Sequence, residues 1–224
     1  MLTNIDAVIF DLDGTLLDSM QLWKNIDSQF LGEREITLPL DLSTRIEGMS
    51  FHETAICFKE LFSLTESIEE IQDIWHSMAF DKYKNEIQLK EGAYEFLHIL
   101  KSRNIKLGIA TSNSRLLAET CLISLNIIEM FDVIITGNDI KKGKPSPDIY
   151  LQAADFMKVA PKNCLIFEDI PNGIQAGINA KMRTCAVYDN FSAMLTEKKK
   201  ELADFYIEKF CDISKYINEN QNDI

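Results

Sequence analysis

The sequence predicts an α/β protein: a doubly wound, Rossmann-like parallel sheet core with an all-helical domain inserted after the first strand. Three observations carry that expectation. Short, largely apolar runs of strand character recur at 7–10, 105–110, 133–135, 164–167 and 184–188. From Gly92 onward, stretches of helical period separate these runs, and strands alternating with helices imply parallel pairing through right-handed crossovers. Between the first run and the rest, residues 18–85 carry helical periods only. The expected division is an α/β core of residues 1–17 and 86–224 and a helical insert of residues 18–85.

The first strand, Ala7-Val8-Ile9-Phe10, has the apolar character of one buried on both faces. After Leu16 and Leu17 the period changes: Met20, Trp23, Ile26 and Phe30 recur at helical spacing, with Asp18 or Ser19 placed to cap the start and Gly32 to close the helix. A loop through Pro39 leads to Glu47-Gly48-Met49. Ser50-Phe51-His52-Glu53 then has the capping-box form and opens a helix carrying Ala55, Ile56, Phe58, and Leu61 or Phe62. Ser67-Ile68-Glu69-Glu70 is a second capping box, from which Ile71, Ile74, Trp75 and Met78 continue as an apolar stripe to about Tyr83. The core resumes with a helix over 92–103, the strand 105–110, a helix from near Asn113 and the strand 133–135. A Lys-rich loop, a helix over 147–158, the strand 164–167, a helix over 171–181 and the strand 184–188 follow. A charged helix from Ser192 and a short strand over 205–207 complete the pattern.

At 224 residues the chain is long enough to bury a substantial core. Its net charge of -12 and pI near 4.7 argue against nucleic acid or an anionic membrane as a partner, while leaving room for a local cationic pocket. The five cysteines, Cys57, Cys121, Cys164, Cys185 and Cys211, are scattered, odd in number and without a C-x-x-C pair. Neither a disulfide framework nor a zinc site is suggested, and a reducing cytoplasm is the expected compartment. No apolar run approaches the length of a membrane span, and the N-terminus lacks the basic and apolar stretches of a signal peptide.

Three of the strands finish in polar groups of the kind that handle phosphate. Asp11 and Asp13 follow the first strand; in an extended chain their side chains point the same way and Leu12 the other, so two negative charges crowd one spot. Gly14 permits a sharp backbone departure there, freeing neighbouring peptide groups to face a ligand. Thr111-Ser112-Asn113 ends a second strand and Glu168-Asp169 a third. In a parallel sheet these ends lie along one edge, where ligands bind, so the clusters should meet. Each has an ordinary alternative by itself: a helix cap for 111–113, a solvated turn for Glu168-Asp169, a surface charge for Lys144 beside Lys141 and Lys142. An EF-hand counted from Asp11 would need Gly and Glu where Leu16 and Leu22 stand. Gly137 to Lys144 is one residue too long for a P-loop, and Pro145 stands where Ser or Thr is required.

Asp11-Leu12-Asp13-Gly14-Thr15 after an apolar strand resembles the signature of the haloacid dehalogenase-like hydrolases. Thr111, Lys144 in Gly143-Lys144-Pro145, and Glu168-Asp169 followed by Gly173 correspond in order and type to the remaining motifs of that superfamily. The insert lies where the members with an α-helical cap carry theirs, among them the β-phosphoglucomutases and phosphoglycolate-type phosphatases, and the resemblance runs nearly end to end. It implies Asp11 as nucleophile and Asp13 as general acid/base. It implies that Lys144 and Thr111, with the backbone N–H groups of Ser112 and Asn113, bind phosphate. A Mg²⁺ ion would be held by Asp11, Asp169, the backbone carbonyl of Asp13 and, directly or through a neighbour, Glu168. The implied activity is hydrolysis of a small phosphorylated metabolite through an aspartyl-phosphate. A phosphomutase returning the phosphoryl group to a sugar and a non-catalytic phosphate-binding module are the other readings, and the intact Asp11 and Asp13 argue against the last.

The resemblance further implies that the cap selects the substrate, through the loop Glu47-Gly48-Met49-Ser50-Phe51 and through Trp23. The mutases carry a His and an Arg where this chain places Trp23 and Phe51, which favours the phosphatase. No Lys or Arg lies between Arg45 and Lys59, while Glu47 adds an anion. A leaving group with a second phosphate would lose hydration there without a counter-ion, so a neutral one is expected. The expected partner is the metabolite alone: no nucleic acid, no membrane, and a monomeric chain.

Overall fold

The computed structural model describes residues 1–213; residues 214–224 of the expected core lie outside them. The chain opens with β1 (Ala7–Phe10), then runs through four helices, α1 (Met20–Gly32), α2 (Leu42–Arg45), α3 (Phe51–Leu61) and α4 (Ile68–Asn85). It continues as α5 (Ala93–Ser102), β2 (Lys106–Thr111), α6 (Arg115–Ser124), β3 (Val133–Thr136), α7 (Asp148–Met157) and β4 (Cys164–Glu168). The remaining elements are α8 (Pro171–Asn179), β5 (Arg183–Val187), α9 (Thr196–Leu202) and β6 (Phe205–Ile207).

All six strands pair in parallel in the order β3-β2-β1-β4-β5-β6. β1 is buried along its whole length because its edges are taken by β2 and β4 and its two faces by helices. Alternation along the strand sends Val8 and Phe10 into one apolar cluster and Ala7 and Ile9 into another. In the first, the Phe10 and Phe167 rings stack at 5.1 Å with Phe96 edge-on to both. The second is closed by α7 and α8 through Tyr150, Ala153 and Ala176. The doubly wound sheet therefore forms as the sequence predicts, with β1 at the point where the strand order reverses.

The insert joins the first cluster through its own aromatic centre, where Trp75 lies edge-on to Phe58 at 4.9 Å and to Phe30 at 5.7 Å. Both predicted capping boxes are present, at Ser50/Glu53 and at Ser67/Glu70. The segments that leave and re-enter the sheet region run side by side: the Asp18 N–H donates to Gln88 O (3.0 Å) and the Lys90 N–H to Leu16 O (2.9 Å). Two local features depart from the sequence pattern. α2 is a single turn, too short for any period to show, anchored by buried Leu42. The charged helix starts at Thr196 rather than Ser192, and it buries Lys199 completely, with Nζ donating to Val187 O (3.1 Å) and Ser192 Oγ (2.9 Å). A run of three lysines reads as solvated, but the two acceptors, the Val187 carbonyl at the end of β5 and the Ser192 hydroxyl ahead of the helix, cannot be placed from sequence.

Asp27 of α1 is half-buried, and among the described residues no hydrogen bond or ion pair reaches its carboxylate. Burial pushes its pKa up to about 7. The folded state thus holds this proton more tightly than the unfolded chain does. The contribution to stability is full below the unfolded value near 3.8 and is lost as pH rises toward 7. Asp27→Asn is therefore expected to stabilise the protein by about 2 kcal/mol near pH 8 and by almost nothing near pH 4. Urea midpoints at the two pH values check this; an equal shift at both would show that burial of the charge is not the cause.

Candidate active site

Register brings the polar strand ends together. The Asp11 N–H donates to Phe167 O (3.0 Å), extending the β1–β4 pairing by one residue and setting Asp11 beside Glu168. Thr111 closes β2 opposite Thr136 on β3. The cluster sits at the C-terminal edge of the sheet, at the reversal of strand order, where open α/β folds leave a crevice.

Lys144 reaches this edge from the loop between β3 and α7 and is 5% exposed. Its Nζ donates to Asp11 Oδ1 (2.6 Å), to Glu168 Oε1 and to Ala110 O (3.2 Å). Glu168 also accepts from Tyr150 Oη (2.7 Å) on Oε1 and from the N–H groups of Asp169 (3.1 Å) and Ile170 (3.4 Å) on Oε2. Asp169 Oδ1 accepts from Thr15 Oγ1 at 3.0 Å. One ammonium thus faces three buried carboxylates, Asp11, Glu168 and Asp169, whose oxygens lie within 4.8 Å of one another.

The charges do not balance, and the ionisation of the group shows it. Burial pushes Asp11 up to about 7; Lys144 opposes that and Glu168 adds to it. Asp169 is held well above the usual carboxylate range by burial, then by Glu168 and Asp11. Burial also works against the Lys144 charge, but Asp11 and Glu168 outweigh it and keep the ammonium protonated. The donor set is all oxygen, buried and short of positive charge, so it fits a hard divalent cation. Both oxygens of Glu168 are engaged, whereas Asp11 Oδ2 and Asp169 Oδ2 stand outside these hydrogen bonds. Gly14 keeps the latter open: it has φ +82°, and a Cβ there would fall 2.5 Å from Asp169 Oδ2.

Asp13 is relieved differently. Its Oδ1 accepts from Ser19 Oγ (2.5 Å) and from Tyr83 Oη, and its Oδ2 from Asn113 Nδ2 (2.8 Å). The two charges that crowd the strand end therefore take separate partners, a cation for Asp11 and three neutral donors for Asp13. Tyr83 Oη in turn accepts from Trp23 Nε1 (2.7 Å) and Asn113 Nδ2 (2.9 Å). Burial, with Asp13 adding to it, pushes the Tyr83 phenol well above its usual range, so the hydroxyl keeps its proton. The sequence marks Tyr83 only as the end of an apolar stripe and Ser19 only as a helix cap. Ser19 does precede α1, but its hydroxyl makes no capping bond and serves Asp13 instead. The one local signal for Tyr83 is a hydroxyl on an otherwise apolar stripe, at the end of a helix that returns to the core.

Thr111 is buried at the end of β2, but its Oγ1 accepts from the Asn113 N–H (3.1 Å). That N–H, expected to face phosphate, is used inside the turn, because a hydroxyl two residues back is the nearest acceptor. The Asn113 side chain takes over, with Oδ1 accepting from Ser114 N (2.7 Å) and Nδ2 serving Asp13. Ser114 caps α6, one residue later than the predicted start near Asn113. Ser112 contributes its carbonyl to the Phe51 N–H (2.8 Å).

That contact begins the seam between the insert and the strand ends. The Gly143 N–H donates to Glu53 Oε1 (3.3 Å), the Asn172 N–H to Glu47 Oε1 (3.1 Å) and Asn172 Nδ2 to Glu47 O (3.0 Å). Gly48, at φ +81°, lets the loop approach closely: a Cβ there would sit 2.7 Å from Lys144 O. The residues expected to meet substrate divide. Glu47 spends its carboxylate on the first turn of α8. Phe51 is buried against Trp23 (6.0 Å), Trp75 (5.5 Å) and His76 (4.9 Å), so it and Trp23 belong to the aromatic packing. Met49 is half-buried yet outside both apolar clusters.

Comparison with known proteins bears on this geometry. The family described as "Haloacid dehalogenase-like hydrolase" matches residues 8–187. The phosphorylated carbohydrates phosphatase of Thermotoga maritima is 31% identical over 176 residues, covering 79% of this chain and 82% of the relative. The β-phosphoglucomutase of Bacillus subtilis is 34% identical over 189 residues, covering 79% and 80%. Among solved structures, a β-phosphoglucomutase from Clostridium difficile superposes with a TM-score of 0.81 over 97% of each chain at 24% identity, a likeness of fold.

Proposed function

The chain belongs to the haloacid dehalogenase-like hydrolases, and from that membership we propose that it is a Mg²⁺-dependent phosphatase of a small phosphorylated metabolite, monomeric and cytoplasmic. The observation that supports this most is the division of labour at the end of β1: Asp11 is pinned by Lys144 beside Glu168 and Asp169, while Asp13 is held apart by neutral donors. Asp11 attacks phosphorus, and the bond to the leaving oxygen breaks as that oxygen takes a proton from Asp13. Water then attacks the aspartyl-phosphate, giving its proton to Asp13, and phosphate departs with the Asp11 carboxylate restored. Lys144 offsets the negative charge that gathers on Asp11 and the phosphoryl oxygens, and Thr111 borders them. Asp11, Asp169 and the Asp13 carbonyl would hold the divalent cation, which would supply positive charge against the approach of anion to anion. Glu168 acts through Lys144, since its own oxygens are committed.

We read residues 18–85 as the cap that covers the leaving group. The two cations that flank the segment 46–58 are engaged elsewhere: Arg45 pairs with Asp41 (2.9 Å), and Lys59 Nζ donates to the carbonyls of Leu64 and Glu66. A second phosphate beside this segment would meet no Lys or Arg between Arg45 and Lys59, which disfavours the mutase reading. Phosphate release across a panel of phosphomonoesters tests the proposal. Monophosphates with neutral, hydroxyl-bearing or partly apolar leaving groups are expected to exceed bisphosphates such as β-glucose 1,6-bisphosphate by at least about tenfold in kcat/KM. Full activity in excess chelator, or a bisphosphate as the best substrate, overturns it.

A further inference from the structure

The hydroxyl of Tyr83 has its hydrogen-bonding capacity assigned completely. A phenol offers one proton and accepts through its lone pairs. Trp23 Nε1 can only donate, and it approaches Tyr83 Oη at 2.7 Å. The Asn113 amide is oriented by the Ser114 N–H on its Oδ1, so the group 2.9 Å from Tyr83 Oη is its NH₂, again a donor. With both neighbours donating, the phenolic proton has one acceptor left, Asp13 Oδ1. Tyr83 is 1% exposed and packs against the Trp23 ring at 6.0 Å, so neither the ring nor its proton has an alternative place. Tyr83 and Trp23 belong to the insert, on α4 and α1, while Asp13 and Asn113 belong to the strand ends.

We propose that Tyr83, backed by Trp23, is a positioning residue for Asp13: it aims one carboxylate oxygen, so that proton transfer at the strand end depends on a hydroxyl supplied by the helical insert. This rests on the reading of Asp13 as the acid/base. Tyr83 contacts the Asp13 carboxylate and acts by restricting it to one orientation, which proton transfer requires.

Tyr83→Phe removes the hydroxyl and keeps the ring. The measurement compares kcat/KM, which reports phosphoryl transfer to Asp11, for an alkyl phosphate from the panel and for p-nitrophenyl phosphate, whose leaving group needs no proton. Tyr83→Phe should lower the alkyl value about ten- to a hundredfold and the aryl value little, with KM for the alkyl substrate nearly unchanged. Trp23→Phe, which removes the donor behind Tyr83 and keeps an aromatic ring, should shift the same ratio in the same direction by less. Asp13→Asn should shift it most. If Asp13→Asn changes the ratio and Tyr83→Phe does not, or lowers both substrates equally, the proposal fails while the acid/base reading stands. If Asp13→Asn leaves the ratio unchanged, both fall. Should Tyr83→Phe fail to fold, the Trp23→Phe ratio decides alone.

Discussion

Asp11→Asn is expected to reduce turnover by at least about a thousandfold while leaving the fold intact. The amide has nearly the shape of the carboxylate but does not attack phosphorus, and no second nucleophile stands at the end of β1. Asp13 is committed to Ser19, Tyr83 and Asn113, and Glu168 to Lys144, Tyr150 and two backbone N–H groups. The fold should tolerate the change because Lys144 retains Glu168 and the Ala110 carbonyl, and one of three crowded acidic groups is removed. Steady-state phosphate release and trapping of a hydroxylamine-labile phosphoenzyme check it together. The wild-type protein should give the adduct and the variant none. Phosphate release at the wild-type rate by Asp11→Asn would dismiss Asp11 as the nucleophile.

Lys144→Met is expected to lose activity by about a hundredfold or more and, unlike Asp11→Asn, to lose stability as well. Without the ammonium, Asp11 and Glu168 are left buried with no counter-charge, a change that costs about 3–5 kcal/mol when one partner of a buried pair is removed. The loss has a pH signature. Asp11 stands near 7 with Lys144 in place, and removing the cation leaves burial and Glu168 to raise it further. A carboxyl whose folded pKa lies above its unfolded value contributes stability that is full at low pH and disappears as pH rises through the folded value. The deficit relative to wild type should therefore be smaller near pH 5 than near pH 8. Added Mg²⁺ should recover part of it at the higher pH, since the ion occupies the same field. Urea midpoints at both pH values, with and without the metal, make the comparison; a variant as stable as wild type at pH 8 would contradict the charge account.

What the sequence determined by itself is what neighbours along the chain can decide. The apolar run before Asp11 reads as a doubly buried strand and is one, and Ser50/Glu53 and Ser67/Glu70 each close a capping box within one turn. That Asp11, Thr111 and Glu168-Asp169 should meet was readable because parallel strands bring their ends to one edge, whereas Lys144, on a loop, was marked only by the resemblance to the family. Tertiary structure decided where each polar group spends its hydrogen bonds. Ser19 stands in a capping position and gives its proton to Asp13; the Asn113 N–H turns to Thr111; Lys199 leaves a charged run for the interior. Tyr83 meets Asp13 across 70 positions of sequence and Lys144 meets Asp11 across 133. The reason is common to them all. A helix or strand is chosen by residues within a turn or two, and its period survives in the sequence. A hydroxyl or an ammonium is satisfied by whichever donor or acceptor the packing of distant elements brings within about 3 Å, and that distance exists only once the sheet and the insert have closed on one another.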